Sequence, residues 1–282
     1  MLLPRILTAL VLLAALLPAL ITGNAMPFLA ITLIMIAAAG WEWGRLNGLT
    51  LVPALGIGGV VFLACVMLWD TGWVGHVPAW LWWLTTGCWV LGGALALKAG
   101  PQGWPRLSQA LRLLLGTFIL VVAWLALASA KLRGLDFILS ALCVVWMADI
   151  AAYAAGRLFG RRKLAPAISP GKSWEGVMGG VAGVLVLAWG WLHVEAAIFG
   201  QTTSVFAVLW GRLGTVGFLV SLIFLCMLSV MGDLVESLVK RAVGAKDSSA
   251  LLPGHGGVLD RVDALLPVLP AVMALASLAA AS

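Results

Sequence analysis

Residues 216–240 read VGFLVSLIFLCMLSVMGDLVESLVK, and the change of character inside them decides the fold. The stretch is almost wholly apolar as far as Gly232, after which Asp233, Glu236, Ser237 and Lys240 recur at i, i+3, i+4 and i+7. Helical periodicity puts those four on one face, so the segment reads as an apolar helix that closes in a polar stripe. The residues that follow, RAVGAKDSSALLPGHGGVLDRVD (241–263), gather Arg241, Lys246, Asp247, His255, Asp260, Arg261 and Asp263. Within them Pro253-Gly254-His255-Gly256-Gly257 cannot continue a helix, because proline lacks the amide hydrogen and glycine admits positive φ. It reads as a tight, ligand-facing turn. Asp260 and Asp263 then fall at i, i+3 at the mouth of the next apolar run, where two carboxylates can hold a hard cation beside phosphates.

Outward from this stretch the chain is apolar. Of its 282 residues 63% are hydrophobic and 10% charged, against roughly 25% charged in a soluble domain. Mean hydropathy is +1.10. These values define an all-α polytopic membrane protein. Apolar segments at 6–21, 27–40, 51–69, 78–97, 111–130, 137–155, 177–193, 216–235 and 265–281 predict about nine transmembrane helices, the second of them short for a bilayer. The first segment, with Arg5 before it, also has the form of a signal peptide; its length favours an uncleaved helix. No repeat, linker or low-complexity tract divides the chain, so 1–282 reads as one membrane domain. N-terminal transmembrane helices occupy 1–135, and catalytic helices with cytoplasmic loops occupy 136–282.

The net charge of +6 does not point to nucleic acid, since Lys and Arg in polytopic proteins mark cytoplasmic loops. Most basic residues fall on one side of the nine-helix arrangement, with Lys131, Arg133 and Arg212 on the other. That places the N-terminus and the loops carrying Arg157–Lys172 and Lys240–Arg261 in the cytoplasm. Cys65, Cys88, Cys143 and Cys226 lie singly in apolar runs without C-x-x-C spacing, so neither a zinc site nor a disulfide framework is implied. Tryptophans at run ends, Trp41, Trp43, Trp69, Trp73, Trp80, Trp104 and Trp174, fit interfacial belts, whereas Trp189 and Trp191 read as packing residues. Gly176, Gly179, Gly180 and Gly183 give the small-xxx-small spacing of a close helix contact within the bundle.

A second polar cluster closes the sixth segment. Asp149 and Tyr153 share a helix face at i, i+4, and a carboxylate there costs at least ~2.5–3.5 kcal/mol on insertion scales, so a polar partner must meet it. Arg157, Arg161, Arg162 and Lys163 follow, then Ser169-Pro170-Gly171-Lys172-Ser173-Trp174-Glu175-Gly176. Gly171-Lys172-Ser173 is not a Walker loop, because Pro166 stands where its first glycine belongs and no strand is foreseen before it. A Gly-Lys-Ser turn that opens a helix among cations can still bind phosphate. The same cations, taken alone, also satisfy the orientation rule.

The stretch from Ser237 to Asp263 resembles the phosphatidate cytidylyltransferase (CDP-diacylglycerol synthase) family. The family pattern is Ser-x-apolar-Lys-Arg, four residues, Lys-Asp-x-small, two residues, apolar-Pro-x-His-Gly-Gly, then apolar-x-Asp-Arg-apolar-Asp. It is met at Ser237, Lys240, Arg241, Lys246, Asp247, Ser249, Pro253, His255, Gly256, Gly257, Asp260, Arg261 and Asp263. Ser248 and Ala264 depart from it where members carry an aromatic and a serine. Two further segments resemble the family, Asp149 to Gly160 and Ser169 to Gly176, with Gly171 in place of a lysine. The resemblance covers roughly the C-terminal half; the N-terminal half matches only in being apolar.

The resemblance implies an enzyme that converts CTP and phosphatidate into CDP-diacylglycerol and pyrophosphate. It implies Mg²⁺, with a monovalent cation such as K⁺ able to share the metal centre. Asp233, Asp260 and Asp263 are the expected metal ligands. Ser237, Lys240, Arg241, Lys246, Asp247, His255 and Arg261 complete the catalytic set, His255 orienting the turn or a phosphate rather than acting as base. Asp149, Tyr153, Arg157, Lys163, Ser169, Lys172, Ser173 and Glu175 are expected to bind substrate. The implied setting is a bacterial inner membrane with the site facing the cytoplasm, no nucleic-acid partner, and either a monomer or a homodimer. A transporter is the rival from another class, but its pathway needs polar groups near the midplane, whereas these acids cluster at one interface. The Asp-Gly-x-x-Ala-Arg pattern of CDP-alcohol phosphotransferases does not occur in the chain.

Overall fold

The computed structural model describes residues 2–200 and 203–278, nearly all of them helical. In chain order the elements are α1 (Leu2–Ile21), α2 (Met26–Leu46), α3 (Leu51–Asp70), α4 (Ala79–Ala99), α5 (Gln109–Leu132), α6 (Leu135–Phe159), β1 (Lys163–Ala165), β2 (Ser169–Ser173), α7 (Trp174–Phe199), α8 (Val205–Ala242), α9 (Leu259–Val262) and α10 (Leu265–Ser277). Seven of these, α2 to α8, are long and apolar enough to cross a membrane. The chain is therefore an all-α polytopic membrane protein. The ninth expected segment forms α10, of 13 residues; its last expected residues, 279–281, lie outside the described ones.

Three elements differ from the reading of the sequence. The second helix does not stop at Gly40 but runs for 21 residues to Leu46, through Trp41, Glu42 and Trp43, because the Glu42 carboxylate is fully paired inside the protein. The eighth begins at Val205 and is broken at Gly214, whose φ of 62° and ψ of −175° are not helical. The third is Gly171-Lys172-Ser173, which forms no turn. These residues lie in β2, antiparallel to β1, with Lys163 opposite Ser173, and β2 runs directly into α7.

Two compact units form. The first comprises Met1–Val77, Pro101–Leu132 and Glu236–Asp263. In it α2 packs on α3 and α5. Trp43 and Trp104 are buried there in an edge-on pair 5.7 Å apart. Their indole N–H groups donate to the Arg112 carbonyl and to Asn47 Oδ1. These two tryptophans thus belong to the core and not to an interfacial belt. Lys131 is buried, and its Nζ donates to the carbonyls of Leu20 (2.6 Å) and Thr22 (2.9 Å). It caps the end of α1, which explains a cation on the side where the orientation rule expects few.

The second unit comprises Pro78–Gly100, Arg133–Val235 and Ala264–Ser282. Its α6 and α7 lie in close contact along the glycine stripe expected from the sequence. A Cβ at Gly176 or Gly180 would stand 2.9 Å from the carbonyl oxygens of Ala152 or Ala148, and one at Gly179 or Gly183 would strike the methyls of Ala155 or Ala151. The backbones approach because there is no side chain between them. Trp191 donates to Asp136 at 2.8 Å, as a packing residue should, whereas Trp189 is 66% exposed and is not one.

Candidate active site

In the first unit the end of α8 and the loop after it form a tight ionic centre. Lys240 Nζ lies 2.5 Å from Glu236 Oε2, one helical turn earlier, and 2.5 Å from Asp260 Oδ1. All three side chains are at most 10% exposed. The other Asp260 oxygen accepts from the Ser248 amide (2.9 Å), the Ser248 hydroxyl (2.8 Å) and the Gly257 amide (2.7 Å). Burial by itself would raise the Asp260 carboxyl, but Lys240 and these donors outweigh it and pull it down to about 2. Asp260 is thus fixed in its charged form.

The Pro-Gly-His-Gly-Gly turn closes beside this centre. Leu252 and Gly256 form a bridge, and Gly256 has a φ of 80°, a backbone conformation reserved for glycine. Gly257 is required for a different reason: a Cβ there would collide with the Ser248 hydroxyl and the Glu42 carboxylate. Gly257→Ala is therefore expected to cost about 1–3 kcal/mol through overpacking and to lower turnover, with thermal unfolding and pyrophosphate release as the two measurements.

The turn lines a pocket of about 590 Å³, with Lys246, Asp247, Ser249, His255 and Arg261 around it. Lys246, Asp247 and Arg261 are exposed. His255 Nδ1 is enclosed and has no protein partner. Two cations, an imidazole and glycine-rich backbone suit the oxygens of a phosphate chain. Arg241 donates to the Ala245 carbonyl at 2.9 Å and so ties the turn that ends α8. Ser237 is half-buried on α8, and Asp263 is the half-buried C-cap of α9.

The second unit carries the other group. Lys172, on β2, reaches Asp233, on α8, at 2.6 Å, so residues of the two sequence clusters meet here. Asp149, on α6, lies within electrostatic reach of the same Lys172 and of Asp233. Lys172 is thus the cation that lies near this carboxylate. Tyr153 is exposed one turn further on, and its hydroxyl accepts from Arg157 at 3.3 Å. Glu175 is engaged in the fold. Its carboxylate accepts from the amides of Arg161 (3.1 Å) and Arg162 (3.1 Å) and pairs with the Arg162 guanidinium at 3.1 Å. Ser173 is likewise structural, its hydroxyl accepting from the Gly176 amide to cap α7. Lys163 is exposed and Ser169 half-buried on the hairpin. Among the described residues no three of His, Cys, Asp and Glu stand together as a metal-binding group.

Two participants escaped the sequence reading. Glu42, in the second helix, is fully buried against the turn; a carboxylate inside an apolar run was the one signal that could have found it. Ser248, a departure from the family pattern, is the residue that donates twice to Asp260.

A polytopic membrane protein with seven candidate spanning helices among the described residues, and with a buried Lys240–Asp260 pair beside a cationic pocket, is of the class that handles phosphate esters at a bilayer. The chain belongs to the cytidylyltransferase family, whose pattern matches residues 3–279. It is 36% identical to the phosphatidate cytidylyltransferase of Pseudomonas aeruginosa, over 98% of this chain and 97% of that one. It is 49% identical to the enzyme of that name from Haemophilus influenzae, over 49% of this chain and 44% of the relative, and 41% identical to the Brucella suis one, over 65% and 62%. Matches to these two thus take in less than two thirds of the relatives' length, whereas the Pseudomonas match runs almost end to end. The chain is a nucleotidyltransferase.

Proposed function

We propose that this chain transfers the CMP unit of CTP to phosphatidate, giving CDP-diacylglycerol and pyrophosphate. The end-to-end relationship to the Pseudomonas phosphatidate cytidylyltransferase carries the reading. In this reaction an oxygen of the phosphatidate phosphomonoester attacks the α-phosphorus of CTP, and the bond to the β-phosphate oxygen breaks as pyrophosphate leaves. A phosphomonoester is largely ionised near neutral pH, so the attack needs no strong base. What it needs is compensation of negative charge on both reactants and on the leaving group.

The residues divide that work as follows. Lys246 and Arg261 receive phosphate oxygens in the pocket, and His255, with its enclosed Nδ1, contributes one more hydrogen-bonding group. Lys172, paired with Asp233, lies ready to turn toward a substrate phosphate, and Lys240 holds the Glu236 and Asp260 carboxylates in place. Arg157, in the last turn of α6, and Lys163, on β1, add charge nearby. Asp247 orients the cationic wall, and Ser237 and Arg241 hold the end of α8.

Mg²⁺ is the cofactor that the family reading implies. The candidate donors are carboxylate oxygens, which suit a hard cation, and Asp233 and Asp260 each already accept an ammonium group. Asp260 and Asp263, in the first unit, or Asp233, in the second, are the residues that would hold it. Bound there, Mg²⁺ would supply charge neutralisation on the phosphates. With no three-carboxylate group among the described residues, substrate oxygens would complete its shell.

The test is a pyrophosphate-release assay on the purified chain in lipid nanodiscs with CTP, phosphatidate and Mg²⁺. Release that requires both substrates is the expected result, and its absence under conditions where the protein is folded rejects the activity. The cytoplasmic placement of the pocket is tested by labelling Ala250→Cys, an exposed position on the turn. A membrane-impermeant thiol reagent is expected to reach it in inverted inner-membrane vesicles and not in intact spheroplasts; the reverse pattern overturns the orientation.

A further inference from the structure

Glu42 stands far from the catalytic loop in sequence, yet it is 0% exposed and every hydrogen bond recorded for it comes from that loop. Its Oε1 accepts from the Ser249 hydroxyl (2.5 Å) and the Val258 amide (2.9 Å). Its Oε2 accepts from the Leu259 amide (2.7 Å), with the Ser248 hydroxyl at 3.3 Å. The consecutive amides of Gly257, Val258 and Leu259 are thus shared between two carboxylates, the first taken by Asp260 and the next two by Glu42. The short helix α9 has no side-chain cap of its own from Val258, and Glu42 supplies it. Ser249, His255 and Arg261 of the pocket, together with Asp260, all hang on the backbone fixed in this way.

We propose that Glu42 is a positioning residue for the transfer reaction, acting through the 248–260 loop to set Asp260, Arg261 and His255 against the pocket. The proposal rests on the reading of that pocket as the reaction site. A buried carboxylate in lipid-facing sequence is costly, and an apolar residue would pack α2 as well. A carboxylate is required because four donors converge on one point, all acceptor-seeking, and a carboxylate alone among side chains offers only acceptors there.

Glu42→Gln keeps size but turns an amide NH₂ toward donors. In nanodiscs, below the unfolding transition of each variant, kcat is expected to fall between about tenfold and a hundredfold, as misplacement of reacting groups does. KM is expected to rise by less than kcat falls, because phosphate contacts of Arg261 and His255 that tighten in the transition state are lost more fully there than in the bound substrate. Glu42→Asp keeps the acceptors and is expected to regain part of the lost kcat. Glu195→Gln, in the other unit, serves as control: Glu195 is equally buried at 1% exposure, and its replacement should shift the unfolding temperature without the kcat loss. Wild-type kcat in Glu42→Gln overturns the proposal, as does a loss matched by Glu195→Gln at equal destabilisation. If Glu42→Gln does not fold, Glu42→Asp decides, since a shortened side chain that leaves kcat untouched also overturns it. A wild-type chain that releases no pyrophosphate would instead overturn the functional reading.

Discussion

Lys240→Ala leaves Glu236 and Asp260 buried around a position from which their shared ammonium group has gone, and the protein loses about 3–5 kcal/mol of stability as a result. Both carboxylates contact Nζ at 2.5 Å and both are at least 94% buried, so water cannot replace the lost charge cheaply. Turnover should disappear with it. The decisive measurement pairs thermal unfolding of the single variant with that of the neutral set Lys240→Met, Glu236→Gln and Asp260→Asn. The neutral set should recover most of the stability, because no uncompensated charge remains, but none of the activity. A single variant that unfolds at the wild-type temperature would show that the ionic centre is not what holds the end of α8 to the loop.

Asp260→Asn is expected to lower kcat by at least about a hundredfold while the protein still inserts and folds. Its Oδ2 accepts three donors, and an amide must present NH₂ either to these or to Lys240. Asp233→Asn, which breaks the contact with Lys172, is expected to act in the same direction. Near-normal turnover in either variant at ordinary Mg²⁺ removes that residue from the site. The acid behaviour of the wild type follows from the same geometry. Asp260 lies at about 2 in the folded protein against an ordinary value of 3.8. Its depressed value contributes stability that is fully present above 3.8 and is lost as pH falls from there through about 2. Acid unfolding monitored between pH 5 and pH 2 should therefore be steeper in the wild type than in Asp260→Asn.

The loop after α8 was legible because its requirements are local. Proline and glycine dictate the turn, and charge density marked the stretch in which Lys246, Asp247, His255 and Arg261 line one cavity. The pairing of Lys172 with Asp233 was not legible, since it joins a hairpin strand to a helix 61 positions away. The extent of α2 was misread for an instructive reason. Glu42 between two tryptophans looks like a membrane boundary when only hydropathy is weighed. Its four partners lie more than 200 residues away in the chain, and they convert an apparent end of the helix into its most tightly held point. The strand β2 escaped because Pro170 and Gly171 argue for a turn, whereas the hairpin register with β1 is a tertiary fact.

The break at Gly214 sets the length of the unbroken helix that leads to Asp233. Unbroken, the 38 residues of α8 would extend about 57 Å, nearly twice the ~30 Å hydrocarbon thickness. Counted from the break, eighteen residues precede Asp233, and they rise about 27 Å, close to one hydrocarbon core. With the break at one edge of the hydrocarbon core, a helix of that length would bring the polar stripe to the other edge, the level at which a lipid phosphate resides. On the proposed function, the reacting depth would then be set by a length of helix and not by a flexible loop. Membrane thickness thus becomes a variable of the reaction: a thinner or thicker bilayer moves the lipid phosphate relative to Asp233 by the full mismatch, unless the helix tilts to absorb it.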